Sequence, residues 1–533
     1  MKTIYKTILC SMLVCGLTSS CDSYLDSDSA DLLIPESVND YSPLLLGQGY
    51  PDKFGTQIPF ATLMTDDVEM GPLYYASTQL NDKYEKNYKT GIDPKAGYGQ
   101  YAHIWAADYS NYLTDAFWDG RYSNILTCNS IIEALPTMTH SESESGIYRK
   151  LAAQAYTLRA YNYFCLVNTY AQPYSKENLS KPGVILKTSP DISTSPQARA
   201  TVGEIYELMD SDINKAQQYL DGANEQASKF EITPEAVYFL ASRIALFQQD
   251  WDGVIAAGEK FMKLNKSILD LNSIDSTKFG MSSSFVADSV FYATNDITHN
   301  EVVFAFGRNE YFGDGNIKFM APYNPTTYYE YGFHTSWSGD DALLKLYDPD
   351  DLRIKAYFLK PCKKTGSRRI PQYFAGQYCP CKGDNYATRT KFSSQAWRTP
   401  EVYLNMAEAY AQKSSGVSAE AIDLLNQLRE KKYITGSANA QKSAADFTSK
   451  DELIKFIWQE RRRELCFEEL MRFWDMRREG MPAQTHYLYT SKTDFTTYKL
   501  SQGSVNYVLP IPVSETGYND AVVNNERENI AGN

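Results

Sequence analysis

PEVYLNMAEAYAQKSSGVSAEAIDLLNQLREKK, residues 400–432, is the stretch that decides the architecture. Pro400 suits the first position of a helix, where its missing amide would go unpaired anyway. Leu404, Ala407 and Ala411 then recur at three- and four-residue intervals. That spacing lines small side chains along one helical face and lets a second backbone approach closely. The polar run Lys413 to Val417 interrupts the pattern, and Ala421, Ile422 and Leu425 restart it. Two helices joined by a short turn follow. Thr233 to Leu264 repeats the layout, with Tyr238, Ala241 and Ala245 in the first helix. Its turn is Gln248 to Asp250, and Ile255, Ala256 and Gly258 lie in its second helix.

Each unit resembles a tetratricopeptide-type hairpin, but the two are not contiguous, so an ordinary solenoid is not expected. Asp119 to Ala171 also reads as helix. Ala155, Leu158, Asn162, Cys165, Leu166 and Thr169 form one stripe, and Tyr156, Tyr163, Val167 and Tyr170 form another. A helix apolar on two faces is sandwiched. Thr201 to Asp221 predicts a further amphipathic helix, with Thr201 at the N-cap and Glu204 at the capping-box position.

Residues 265–399, between the hairpins, are rich in Gly, Asn, Asp, Ser and Tyr, and short β-like pieces such as Val302 to Phe306 sit between turn residues. Comparable loop regions run from Leu44 to Tyr112 and from Gly480 to the end. Long loops on a rigid frame are where binding residues concentrate.

At the other end, Lys2 and Lys6 precede an apolar run from Ile8 to Leu17, too short to span a bilayer. Leu17-Thr18-Ser19-Ser20-Cys21 resembles a lipobox, with Thr18 where an apolar residue is usual. Residues 1–20 therefore read as a cleaved lipoprotein signal and Cys21 as the lipidation site. Residues 21–40, with Asp22, Asp26, Asp28 and Asp31 among serines, read as a solvated tether. More than one acyl chain, palmitate included, would make the anchoring stable. Later apolar runs are all interrupted by charge, so the body is expected to be anchored and not spanning.

The chain carries 52 basic and 65 acidic side chains, a net −13, which argues against nucleic acid as a partner. Its 41 Tyr against 24 Phe suit half-wet surfaces, or seams between helices. Cys128, Cys165 and Cys466 fall on helical faces and read as buried apolar residues. Cys362, Cys379 and Cys381 cluster in a loop, where the spacing suits one hairpin-closing disulfide; zinc would need a fourth ligand. Phosphate loops, dinucleotide fingerprints, serine elbows and zinc-protease motifs are not found. His103, His140, His299, His334 and His486 are scattered, each alone in its neighbourhood. Asp66, Asp67 and Glu69, or Asp348, Asp350 and Asp351, contain enough carboxylates for a glycosidase pair. The second run reads more simply as a turn or N-cap before Leu352. No cofactor is expected.

Seven segments in order resemble the SusD/RagB family: FWDGRYSNILTCN from 117, QAYTLRAYNYFCL from 154, RATVGEIYELMDSDINKA from 199, DALLKLYDPDDLR from 341, EVYLNMAEAYA from 401, ERRRELCFEELMRFWDMRR from 460 and YVLPIP from 507. One residue more than the pattern lies between Glu468 and Arg472, so a helix break is expected there. Arg461 with Glu464, Glu468 with Arg472 and Asp475 with Arg478 are also spaced as helix-surface ion pairs, which reads the stretch as scaffold. The resemblance implies a mostly α fold, about four tetratricopeptide-like helix pairs carrying a loop-rich lobe with short β pieces. Residues 41–230 would form a SusD-like N-terminal region and 231–533 a RagB/SusD C-terminal region containing the 265–399 insertion. It further implies a nutrient-binding lipoprotein of the outer membrane, facing the cell exterior and without enzymatic activity. Such a protein captures glycan and delivers it to a SusC-like TonB-dependent transporter. Within that expectation, Trp105, Tyr74, Tyr75 and Trp337 are candidate sugar-stacking platforms, with Tyr329 and Tyr331 in reserve. Asp66, Asp67, Asn81 and Arg308 are candidate hydroxyl ligands. Each of these also fits loop packing or capping. A peptide-binding member of the same architecture and a surface glycoside hydrolase are the alternatives.

Overall fold

The structure, a computed structural model, describes residues 35–51, 60–70, 94–107, 116–191, 195–223, 228–274, 298–306, 333–359, 379–380, 395–489 and 494–533. The expectations for Cys21, Tyr74, Tyr75, Asn81, Arg308, Tyr329, Tyr331, Cys362 and Cys381 lie outside these residues, and Cys379 is described only in its backbone.

Among the described residues, helices of seven or more residues are α1 Val38–Leu44, α2 Pro94–His103, α3 Ala116–Ala134, α4 Ser145–Tyr170, α5 Val202–Leu220, α6 Pro234–Gln248, α7 Trp251–Leu264, α8 Thr399–Lys413, α9 Ala419–Lys432, α10 Lys450–Leu465 and α11 Met471–Arg478. Strands are β1 Val68–Met70, β2 Pro182–Ile185, β3 Arg199–Thr201, β4 Val302–Phe306, β5 Phe333–Thr335, β6 Phe358–Leu359, β7 Cys379–Pro380, β8 Gln395–Arg398, β9 Gln484–Tyr489 and β10 Phe495–Leu500. They pair only as two-stranded antiparallel ribbons, β1 with β5, β2 with β3, β4 with β8, β6 with β7 and β9 with β10. The fold is mostly α.

Helix boundaries follow from local chemistry. Thr201 and Glu204 form the expected capping box: the Thr201 amide donates to the Glu204 carboxylate at 2.7 Å, and the Glu204 amide returns a bond to Thr201 Oγ1 at 3.2 Å. Thr233 caps α6 ahead of Pro234, and Asp250 caps α7 by accepting from the Gly253 amide at 3.0 Å. Between them Gln249 turns the chain at φ 60°, in the left-handed region. From α3 to α8 each helix packs on the next, and α8 then packs on both α9 and α10. Contact between α7 and α8 is close, because a Cβ on Gly258 would lie 2.4 Å from the Met406 sulfur. From Leu151 to Tyr170, α4 is buried at every position but Tyr156, the sandwiched helix that two apolar stripes predict.

The long insertion is tied to the frame at both ends. Its strand β4 pairs with β8, which directly precedes α8. Trp397 of β8 is fully buried, stacked on Phe239 of α6 with centroids 5.1 Å apart and met edge-on by Tyr161 and Phe304. The region after Gly480 is not only loop, since β9 and β10 form a ribbon there. Cys128, Cys165 and Cys466 are buried free thiols, and burial pushes Cys128 and Cys165 up to about 12. In the Asp348–Asp351 run, Asp348 accepts from the Tyr433 hydroxyl, Asp350 from Asn439, and Asp351 caps the Arg353 amide at 3.0 Å. The run is a turn that docks onto the segment after α9.

The stretch 460–478 corrects one expectation and meets another. The chain leaves α10 at Leu465 and enters α11 at Met471, with Phe467 at φ 60° and Glu469 at φ 45° between them, so the expected break is present. The ion pairs, however, are not on a surface. Arg461 donates to Asp475 at 2.7 Å and not to Glu464. Glu464 and Glu468 instead receive Arg398, which also reaches Glu301 at 2.7 Å. Only Asp475 and Arg478 pair as spaced. Arg353, Arg398, Arg429, Glu460 and Glu464 are essentially inaccessible to solvent, a charged network inside the helical stack. Helical spacing is the same whether the face meets water or protein, so the sequence pattern could not distinguish them.

Candidate functional site

A cleft of about 540 Å³ opens where three parts of the chain meet. Its walls come from the segment around β1, from residues 336–342 after β5, and from α10, α11 and β9. Pairing of β1 with β5 sets Glu69 opposite His334 and Val68 opposite Thr335, which brings the two loop regions together. The Ser336 amide then donates to the Asp67 carbonyl at 2.8 Å, and its hydroxyl to the Asp66 carbonyl at 2.6 Å.

Two arginines fix the floor. Arg462 of α10 donates through Nε to the Asp67 carboxylate at 2.6 Å, and through its two terminal nitrogens to the Asp341 and Asp66 carbonyls at 2.7 Å each. One guanidinium thus ties both loops to the helical frame. Arg472 of α11 grips the Asp66 carboxylate with two bonds of 2.7 and 2.8 Å and donates to Glu479 at 3.0 Å. Planar, bidentate pairing of this kind is what an Arg supplies and a Lys does not. Burial opposes ionisation of Asp66, but Arg462 and Arg472 outweigh it and hold its carboxyl well below the usual range. Glu479 goes the other way: burial, with Asp475 nearby, pushes it up to about 7 despite Arg472.

His103 and His486, 383 positions apart, are not solitary as their spacing in the chain suggests. Their rings stack at 4.1 Å, and Trp105 stacks on His486 at 4.1 Å as well. His486 Nδ1 lies 2.6 Å from the His103 carbonyl and so carries the proton. Burial holds the ring down to about 4, so it is neutral at ordinary pH.

Trp105 is not a platform. It is completely buried, its indole N–H donates to the Met64 carbonyl at 3.0 Å, and its backbone sits at φ 51°. It packs the wall behind His486. Asp67 is likewise buried under Arg462 and does not face the cleft. Asp66 does line the cleft, with its carboxylate 28% exposed. Trp337 stands beside the cleft, 36% exposed, and Glu69 aligns it by accepting from the amides of Trp337 and Ser338 at 3.1 Å.

Other lining residues were not singled out from the sequence. Trp458, Gln459 and Lys455 come from α10, and Gln484, Thr485 and Tyr487 from β9. Tyr487 is 39% exposed and meets Phe495 edge-on across the ribbon. An exposed ring at an alternating strand position was the one available signal for it. The arrangement offers two accessible aromatic rings, Trp337 and Tyr487, near carboxylates, amides and a lysine. Such a surface can meet polar molecules edge-on and face-on.

A model described as the SusD family matches residues 362–527, and one described as starch-binding associating with outer membrane matches residues 63–246. The chain belongs to the SusD/RagB family. The SusD-type frame is seen in solved structures too. A SusD superfamily protein from Bacteroides thetaiotaomicron superposes with TM-score 0.64 at 20% identity, covering 92% of this chain and all of that one. A SusD-like carbohydrate binding protein from Bacteroides vulgatus superposes with TM-score 0.61 at 16% identity, covering 92% of this chain and 98% of that one. Among curated proteins, a SusD-like protein of Formosa agariphila is 25% identical over 395 residues, 69% of this chain and 72% of that protein. The SusD/RagB motifs at 460–478 supply both Arg462 and Arg472, so the family scaffold also builds the floor of the cleft.

Proposed function

We propose that this protein captures glycan at the outer-membrane surface, without altering it, and passes it to a TonB-dependent transporter of the SusC type. The observation that carries the reading is the cleft held by Arg462 and Arg472, with Trp337 and Tyr487 beside carboxylates and amides. Sugar rings offer C–H faces to such aromatics and hydroxyls to such polar groups. Matching to a family model described as starch-binding, and the resemblance to a carbohydrate-binding relative, support it. Of the sequence candidates, Trp337 and Asp66 carry this proposal; Tyr74, Tyr75, Asn81 and Arg308 remain proposed ligands.

Binding without turnover is favoured because Asp66 and Glu69, two carboxylates of the candidate glycosidase group, are already committed. Asp66 is held by two guanidinium groups, and Glu69 by two backbone amides. Anchoring through acylated Cys21 completes the proposal. Calorimetric titration of the chain from Ser23 onward with a panel of oligosaccharides and peptides tests it. Saturable oligosaccharide binding with no hydrolysis is expected; peptide binding alone, or hydrolysis abolished by one Asp or Glu change, contradicts it. Cys21→Ser should release the full-length protein from membranes.

A further inference from the structure

The cleft is not electrically neutral. Asp66, Glu69, Asp340, Asp341 and Glu479 line it, against Lys455, Arg462 and Arg472. Both guanidinium groups are spent on the protein itself. Arg462 satisfies Asp67 and two carbonyls, and Arg472 satisfies Asp66 and Glu479. Neither is left to receive a sulfate or carboxylate from a ligand, the task for which Arg is best suited. Asp340 and Asp341, by contrast, are exposed at the rim, and among the described residues Asp340 has only Lys345, at 3.8 Å.

An unpartnered acceptor points the same way. Among the described residues the buried Oε1 of Gln484, on a lining residue, has no hydrogen-bond partner; Glu479 Oε1 has only Arg478 at 3.8 Å, and the unpartnered indole N–H of Trp458, a donor, suits a sugar hydroxyl oxygen. Gln484 uses its amide nitrogen on the Met64 carbonyl and the Tyr507 hydroxyl at 2.7 Å, which fixes Oε1 as an acceptor. Gln484 is 8% exposed and the Glu479 side chain 8% exposed. Leaving the Gln484 acceptor unpaired is costly, so a ligand that brings a donor to it is what it fits. Hydroxyl and amine groups donate; uronate and sulfate groups only accept.

Resting on the glycan reading above, we infer that the cleft selects glycans free of negative charge, uncharged or amino-bearing, and rejects uronate- and sulfate-bearing ones. A carboxylate brought against the Asp340–Asp341 rim meets two like charges, offset in part by Lys345 and Lys455. An amine brought there meets two exposed carboxylates.

The test is a binding panel on the intact mature chain: starch, laminarin, mannan, xylan and chitosan against polygalacturonate, alginate, chondroitin sulfate and dextran sulfate. All binders are expected in the first group, with any anionic glycan at least about tenfold weaker. The double variant Asp340→Lys/Asp341→Lys changes two exposed side chains and should fold normally. It should lower chitosan binding and admit anionic glycans. A sulfated or uronate glycan as the tightest ligand of the natural chain overturns this inference and leaves the glycan reading intact. Binding of no glycan at all overturns both.

Discussion

Glu479 and His486 line the same cleft but respond to pH in opposite directions. The Glu479 carboxyl is raised from 4.5 to about 7, so the native state holds more protons than the unfolded state between those values. Stability contributed by this group therefore falls as pH rises through that window. His486 is depressed from 6.5 to about 4, so the native state holds fewer protons, and its contribution is lost as pH falls from 6.5 to 4. Denaturant unfolding at a series of pH values should show Glu479→Gln gaining on the natural chain as pH rises from 5 to 7.5. His486→Gln should gain on it as pH falls over the same range. Each difference should be on the order of 2 kcal/mol. Parallel pH profiles for variant and natural chain would refute the assignment. None of this was legible in the sequence, where His103 and His486 are hundreds of residues apart and nothing marks them as neighbours. Trp105 misled for the same reason: an aromatic in a loop reads alike whether its faces meet water or another ring.

At the scale of elements, small-residue stripes and caps were legible because they act within a few residues. The α7–α8 crossing makes a sharp case. In an ordinary helix Gly→Ala stabilises by up to about 1 kcal/mol. Here Gly258→Ala should instead destabilise by about 1–3 kcal/mol, because the new methyl runs into the Met406 side chain. Pairing it with Met406→Ala should recover part of that loss, and additive effects would contradict close packing. The buried ion network was not legible, since its partners come from Glu301 just before β4, from β8, α9 and α10, and from the segment before Arg353. Arg398→Met should cost about 3–5 kcal/mol in chemical unfolding, as it removes from the interior the cation that Glu301, Glu464 and Glu468 share. A loss under about 1 kcal/mol would mean these carboxylates find water or protons instead.

Over the whole molecule, the helical stack serves as a wall against which two loop regions are pinned by Arg462 and closed by the β9–β10 ribbon. The sequence announced the frame through repeated hairpins, and it put the expected binding residues on loops. It did not announce which loops converge, because that depends on a three-residue ribbon, β1 with β5, and one guanidinium. Trp337→Ala should weaken glycan binding by about tenfold or more while leaving helical circular dichroism unchanged. The most direct measurement is a crystal structure of the mature chain with its best-binding oligosaccharide. A sugar ring should lie within about 4.5 Å of the Trp337 or Tyr487 ring, with hydroxyls on the cleft carboxylates. An ordered glycan seated elsewhere, with the cleft empty, would contradict the account.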